Sequence, residues 1–567
     1  MITNVHGDCP FYPLSFFMKR FTIVRYQRIV YCTGLYLAIF IWLGSAPSVI
    51  AQRSFKMPNE TGAIAQERPS GNSIGVITTT GDTVFIAAGS NLNITTNAGA
   101  AWNIIGRSDG LYKGSPVAIT HHKSVLYVTT AYDSSLAIEP TYGVSGGISI
   151  SKDFGNTWSH IAQPTDTGTI RGPVVRTDAR TSQPIVLNLV RDVMRRQTGF
   201  LTDSIYVVTI KSAIDNITFD IAVNDSSIWL AAFAGGLRRA RIALDGTIGY
   251  FTPMPLPPDS LLEIKADRDY DFSIDPLEHY NHRVFSVISA RDGIWCGSAG
   301  GINFSSDFGQ TWKRYTSDQH HISGNFVTAL AEQFYTESGS LHRVIWAGTN
   351  RALSSAEESG VSFTTDSGAT WQTSLRGYFV NNITFDGKTV YVATSDGLFR
   401  SSNLGQSWER FITIIDQTSG DRIFTSEFTT IGVTPKSGTH TIFAGTYDGL
   451  GISTDDGVTW TIPRAYAKPG QKGNPSSYAY PNPFSPKYGI TRFQFDKDDL
   501  SSDDRVTLSI YDFSMTPVVT LVKNAPIDQT IFWNGRNQKD QRVANGTYIY
   551  IIEAGKKKFH GKVTVRK

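Results

Sequence analysis

Residues 305–312 read SSDFGQTW, with a hydroxyl residue, an Asp, a Gly and a Trp at fixed spacing, and this phrase decides how the chain is built. Five near-copies keep the pattern polar-x-Asp/Asn-x-Gly-x-small-Trp: TTNAGAAW at 95–102, SKDFGNTW at 151–158, TTDSGATW at 364–371, SSNLGQSW at 401–408 and STDDGVTW at 453–460. The first copy has Asn97 in the Asp position and Ala101 in the small polar one. Recurrence at roughly 40 to 60 residues marks a repeat architecture, in which each unit buries its apolar face only against its neighbours.

An Asp or Asn oxygen in the third position can fold back onto turn N–H groups, while Gly in the fifth supplies a left-handed backbone. The phrase therefore reads as a β-hairpin corner whose closing Trp re-enters the core. Upstream of the corners stand strand-like runs ending in small residues, such as VFIAAG at 84–89, VIWAGT at 344–349, VYVAT at 390–394 and IFAGT at 442–446. A further apolar run precedes most of these (326–330, 383–385, 430–433), so each unit amounts to about four strands.

These corners resemble the Asp-box, or BNR, repeat of sialidases, sortilin-type receptors, xyloglucanases and photosystem assembly factors. The resemblance implies a β-propeller in which each box joins the two outer strands of a blade. The interval from Trp158 to Trp312 is far longer than the others. Within it SIWLAAFAGG (227–236) repeats the strand phrase and residues 237–246 lack a box, which reads as a blade whose corner has drifted. The expected fold class is all-β, a single β-propeller of seven blades over residues 73–466 followed by a small Ig-like β-sandwich. An eighth blade or a long insertion is open, because residues 160–214 hold further strand-like runs at 185–190 and 204–210.

At 567 residues the chain exceeds one ordinary domain. Aromatics at 12% and charges at 18% suit an all-β protein. The formal charge of +3 is carried by residues 1–51, where Lys19, Arg20, Arg25 and Arg28 oppose Asp8. The remainder of the chain is neutral, which speaks against nucleic-acid binding by bulk electrostatics. Residues 18–51 combine a basic stretch, an apolar core at 29–43 and the small-residue ending Val49-Ile50-Ala51, the pattern of a secretory signal peptide, with Met18 as an alternative start. The other reading is an uncleaved anchor, for which the apolar run is short. Residues 52–72 are then an N-terminal linker, and no later stretch is apolar enough to span a membrane. Cys9 and Cys32 fall in the signal segment, so only Cys296 would remain and no intramolecular disulfide could form. Cys296 lies in the strand phrase GIWCGSAG and reads as a buried small hydrophobe.

Past Trp460 a linker at 467–479 leads to YPNPF at 480–484, which opens a second domain over 480–567. VTLSIYD at 506–512, WNGRN at 533–537, VANGTYIYI at 543–551 and the basic ending GKVTVRK alternate in polarity, with Gly and Asn at the turns, as a small antiparallel sandwich would. The order of these motifs resembles the FlgD Ig-like domain and the type A C-terminal sorting domain of type IX secretion cargo. That resemblance implies Sec export, the type IX secretion machinery as a partner, and release or surface attachment once the domain is removed. It places the protein outside the cell or on the outer-membrane surface, reached through the periplasm, in a bacterium of the Bacteroidota or a relative. The Gly usual in the IYDxxG turn is Met515 here, so an irregular turn is expected. Fourteen Lys/Arg against nine Asp/Glu from residue 481 onward leave +5, suited to an acidic receptor or to lipopolysaccharide, and equally to a solvated face.

The sialidase reading requires an arginine triad for the substrate carboxylate, since bidentate guanidinium forks hold it. The family's Arg-Ile-Pro signature is absent, and Ile462-Pro463-Arg464 has the wrong order. A xyloglucanase-type hydrolase needs two carboxylates flanking the bond, and such enzymes usually face two propellers across a cleft where this chain has room for one. The box residues Asp153, Asp307, Asp366 and Asp455 are explained as corner caps. Asp267, Asp269, Asp271, Asp275 and Glu278 occupy positions 1, 3, 5, 9 and 12 of an EF-hand-like loop, a calcium candidate weakened by Phe272 where Gly should stand. His320 and His321 read as capping or solvating a turn. No catalytic residue and no cofactor site is assigned. The expected function is a binding platform for a glycan or protein, the alternative is a glycoside hydrolase with an unrecognised carboxylate pair, and a periplasmic sensor propeller is a third, weaker reading.

Overall fold

The structure is a computed structural model and describes residues 66–134, 142–166, 173–177, 184–190, 204–208 and 210–566, apart from 267, 269, 412, 437–438, 471–472 and 488. Its repeating unit is an antiparallel meander, typically of four strands. The first runs Ile74–Thr80, Thr83–Ala88, Asn91–Thr95 and Asn103–Ile105, hydrogen-bonded in that order. The second strand is covered on both faces, which is why VFIAA is continuously apolar instead of alternating.

Seven such sheets stand side by side, and their innermost strands are Ile74–Thr80, Ser115–His122, Thr218–Val223, Val284–Ala290, Phe326–Glu337, Val380–Asp386 and Thr430–Lys436. Each packs beside the next, and the last packs on the first, so the ring closes into a seven-bladed β-propeller. Side-chain bonds stitch the inner ring: Val287 N–H donates to Asp220 Oδ2 (2.9 Å), Ile431 N–H to Asn382 Oδ1 (3.2 Å) and Ile77 N–H to Thr430 Oγ1 (3.0 Å). The last of these spans the seam between the final and first blades. There Ile74 and Trp102 also share a core with Phe443 and Ile452.

Among the described residues no eighth blade joins the ring. Pro173–Thr177, Pro184–Val190 and Ser204–Val208 make a separate sheet, completed by Asp271–Ile274 running parallel to the third of them. Blade 3 is the unit without a box, and its fourth strand is Thr252–Pro253. Phe251 stands immediately before that strand, as Trp102 and Trp158 stand before Asn103–Ile105 and Ser159–Ile161, and it is buried.

Beyond the last blade, a three-stranded sheet (Ser477–Tyr480, Thr491–Phe495, Ile531–Trp533) faces a four-stranded one (Pro517–Pro526, Arg505–Tyr511, Gly546–Ala554, Lys557–Val565). Leu508, Ile510, Phe493, Trp533 and Tyr550 fill the space between them as a two-sheet sandwich. The turn expected to be irregular places Met515 at φ 65°, the left-handed conformation that Gly adopts freely, and Asp512 Oδ1 accepts the Ser514 and Thr516 N–H groups there.

Candidate binding face

Antiparallel blades send their connections to two opposite faces of the ring. The tryptophan corners join third and fourth strands, so they share one face, and there the carboxylates are consumed locally. Ser305 Oγ donates to Asp307 Oδ1 (2.8 Å) and accepts the Gly309 N–H (2.7 Å), while Asp307 takes the Thr311 N–H (2.9 Å) and hydroxyl (2.6 Å). The corners containing Asp153, Asp366 and Asp455 repeat this arrangement. Asn403 keeps the geometry with its amide, donating to Ser407 Oγ at 2.8 Å. Hydrogen bonds from the Thr157 hydroxyl and N–H hold Asp153 below the ordinary carboxylate range, and Thr459 does the same for Asp455. The residue before each corner Gly is also left-handed (Ala98, Phe154, Phe308, Ser367, Leu404 and Asp456, φ 54–64°), so both central residues have the sign that a mirror-image hairpin turn demands. Each corner leans on the preceding blade: a Cβ on Gly368 would lie 2.4 Å from Tyr315 Oη, and one on Gly309 2.6 Å from Met254 Cε.

The opposite face gathers aromatic rings from four consecutive blades. Phe219 and Phe233 come from blade 3, Tyr280 and Phe285 from the approach to and start of blade 4, Phe326 from blade 5, and Phe379 from just before blade 6. Ring centroids of Phe219 and Phe285 are 5.4 Å apart, those of Phe285 and Phe326 4.8 Å, and those of Phe326 and Phe379 6.1 Å. Phe219, Phe285, Phe326 and Phe379 stand in or just before innermost strands, so the arc lies along the inner edge of the ring on this face. Phe285 and Phe326 are buried, while Phe219, Phe233, Tyr280 and Phe379 keep part of their surface. Arg283 lies over Phe233 (5.7 Å) and Tyr280 (4.6 Å), fixed by the Pro276 and Leu277 carbonyls.

The long segment after blade 2 rises on this same face and is clamped at its base. Asp166 N–H donates to Ile210 O (2.8 Å) and Ile210 N–H to Asp166 Oδ2 (2.7 Å). Buried Arg238 grips both oxygens of Asp166 at 2.8 and 2.9 Å.

Burial shifts the titration of several enclosed groups. Burial pushes the Asp220 carboxyl up to about 7 against the two backbone N–H bonds that it accepts; the residue keeps some surface while its carboxyl is held between inner strands. Burial lowers His282 to about 4, with Nδ1 accepting the Asp275 N–H (2.9 Å) and Nε2 donating to Leu256 O (3.0 Å), so the ring is neutral. Burial also raises Glu427, near Tyr447 on the aromatic face, to about 7. Cys296 is fully buried and its thiol is pushed up.

Of the calcium candidates, Asp267 and Asp269 lie outside the described residues. Asp271 opens a strand, Asp275 is buried with Oδ1 accepting the Leu277 N–H (2.7 Å), and Glu278 is exposed in the next turn. Among the described residues no three His, Cys, Asp or Glu side chains gather as metal ligands. His320 Nδ1 accepts the Thr316 N–H (3.2 Å) and His321 ends the short helix Ser317–His320 at φ 61°. Among the described residues no helix is long and apolar enough to cross a membrane. Sequence reasoning missed the aromatic arc, His282 and the Asp166–Arg238 clamp, and a Phe at or just before successive innermost strands was the available signal for the first.

No family model and no curated protein matches the sequence. Similar solved structures include PorZ, an essential surface component of the type IX secretion system of Porphyromonas gingivalis, at 13% identity, with 87% of this chain and 69% of that one covered and a TM-score of 0.28. An ancestral GH74 enzyme is 14% identical, with 88% of this chain and 60% of that one covered and a TM-score of 0.44. YCF48 from Cyanidioschyzon merolae is 12% identical, with 69% and 98% covered and a TM-score of 0.36.

Proposed function

We propose that this is an exported bacterial surface protein whose propeller binds a glycan at the aromatic arc and whose C-terminal sandwich directs type IX secretion. The observation that carries the binding role is the arc of rings from blades 3 to 6 beside Arg283, in which Phe219, Phe233, Tyr280 and Phe379 keep part of their surface. Ligand sites pair aromatic walls with a few fixed polar groups, and the C–H faces of sugars suit such walls. The signal-like residues 1–51 and the motif order from YPNPF to the basic ending support export.

The test is a glycan array probed with the full chain and with the single variants Phe219→Ala and Phe379→Ala, their fold checked by near-UV circular dichroism. Selective binding that falls at least about tenfold in folded variants, a loss of about 1.4 kcal/mol, supports the reading. Binding unchanged in both variants refutes it. Glu427, raised to about 7 on the same face, favours a second reading as the general acid of a glycoside hydrolase. Turnover abolished by Glu427→Gln would establish that reading.

A further inference from the structure

The sandwich and the propeller share a buried ionic seat as well as the linker between them. Arg492, in the sandwich strand Thr491–Phe495, reaches into loops of the last two blades, where Nη1 and Nη2 donate to Asp448 Oδ1 and Oδ2 at 2.7 and 3.0 Å. Its Nε lies 3.4 Å from Asp421 Oδ1, while Arg464 of the propeller donates through Nε to Asp421 Oδ2 at 2.7 Å and through Nη1 to the Asp448 carbonyl. The Nη2 atoms of both arginines donate to Arg422 O, each at 2.9 Å. Side-chain exposure is 3% for Arg492, 5% for Arg464, 5% for Asp421 and 22% for Asp448. Beside this cluster Phe424 of the propeller meets Phe532 of the sandwich at 4.6 Å, under the Arg422 guanidinium.

We propose that this contact is a permanent seat, so that the sandwich stays bound to the propeller after the linker is cut and is part of the mature structure. The two guanidinium groups balance two carboxylates, and the planar forks supply a geometry that Lys could not reproduce. In so dry a place the loss of one partner leaves an uncompensated charge, which makes the seat cooperative. The neighbouring aromatic pair adds apolar area that holds the surfaces together when the ions could otherwise return to water. The proposal does not depend on what the propeller binds or on whether the sandwich is a sorting signal. It separates cutting of the linker from release, which the sequence resemblance had joined. A partner of the seated sandwich is then directed toward its four-stranded sheet, since the seat engages Arg492 and Phe532 of the three-stranded one.

The experiment inserts a site-specific protease sequence at Gly473, where a side chain meets nothing within 4 Å, in the full chain. After complete cutting, the fragments are expected to co-elute on size exclusion at micromolar concentration in about 0.15 M and about 1 M NaCl, because buried pairs are little screened. The same cut in Arg492→Ala is expected to separate them, and Asp448→Asn, altered on the propeller side, provides a second break should the first variant fold poorly. Near-UV circular dichroism of each fragment reports folding. Wild-type fragments that elute apart while folded overturn the proposal, as does separation only at high salt. Variants whose fragments stay together as tightly as wild type also overturn it.

Discussion

His282 gives the acid response of the fold a specific origin. Its ring is 1% exposed and its folded value of about 4 lies below the unfolded 6.5. On acidification the unfolded chain therefore binds a proton first, so the stability due to this group is complete above about pH 6.5 and is lost as pH falls toward 4. From these two values the loss at pH 5 is about 2 kcal/mol, at about 1.4 kcal/mol per unit. For a propeller of about 400 residues melting as one unit, unfolding entropy of roughly 0.8 kcal/mol per degree turns this into a fall of about 2–3 °C. Replacement by Gln keeps one acceptor for the Asp275 N–H and one donor for Leu256 O without titrating. His279 and Asp259 act electrostatically on this ring and are unchanged by the substitution. Scanning fluorimetry of both proteins from pH 7.5 to 5 should show the wild-type Tm falling about 2–3 °C further than that of His282→Gln, whatever constant offset repacking introduces. Parallel curves would refute the assignment.

Gly368→Ala should cost more stability than Gly405→Ala, although both impose a left-handed backbone (φ 84° and 79°), because the first Cβ would lie 2.4 Å from Tyr315 Oη and the second no closer than 3.4 Å to any atom. Urea midpoints should place the difference at about 1–3 kcal/mol, and equal costs would remove the steric argument. Arg238→Met leaves Asp166 without its guanidinium and should speed hydrogen exchange at the Ile210 amide, measured by mass spectrometry, with corner peptides such as 305–312 unaffected. Asp220→Asn should gain on wild type as pH rises from 4 to 7 in the same fluorimetry, since an acid raised to about 7 from 3.8 contributes stability below its unfolded value and loses it as pH climbs through the folded one.

The corners and the strand phrase were legible because both are local, and six repeats of Asp or Asn, Gly and Trp at fixed spacing report one turn. The boxless blade was legible too, from SIWLAA alone, although Phe251 in the Trp position was not, because any large apolar residue can plug that seat. The pairing of Ser204–Val208 with Asp271–Ile274 was out of reach. A parallel register across so many residues leaves no periodic mark, and an acidic run that scans as a calcium loop opens instead on a strand. Arg464 shows the same limit: read within Ile462-Pro463-Arg464 it looks like a scrambled signature, while its partner Asp421 and the incoming Arg492 lie far away in sequence.

The division of labour between the two faces follows from where rigidity is built. Corners on one face are over-determined, since a hydroxyl, a carboxylate or amide, a positive-φ pair and an aromatic plug all fix the same turn. The inner ring is stitched again by Asp220, Asn382 and Thr430, chemically different side chains that each accept a neighbour's N–H. A seat that tolerates an acid, an amide and a hydroxyl is selected for shape, so the carboxylates of this scaffold say little about chemistry. The other face is free to vary, and there the chain has placed its irregular elements: the Asp166-clamped insertion, the loop carrying Asp259 and His282, the aromatic arc and the seated sandwich. Function in such a molecule is to be sought where the repeat is broken, because residues that depart from the repeat are not required to close the ring.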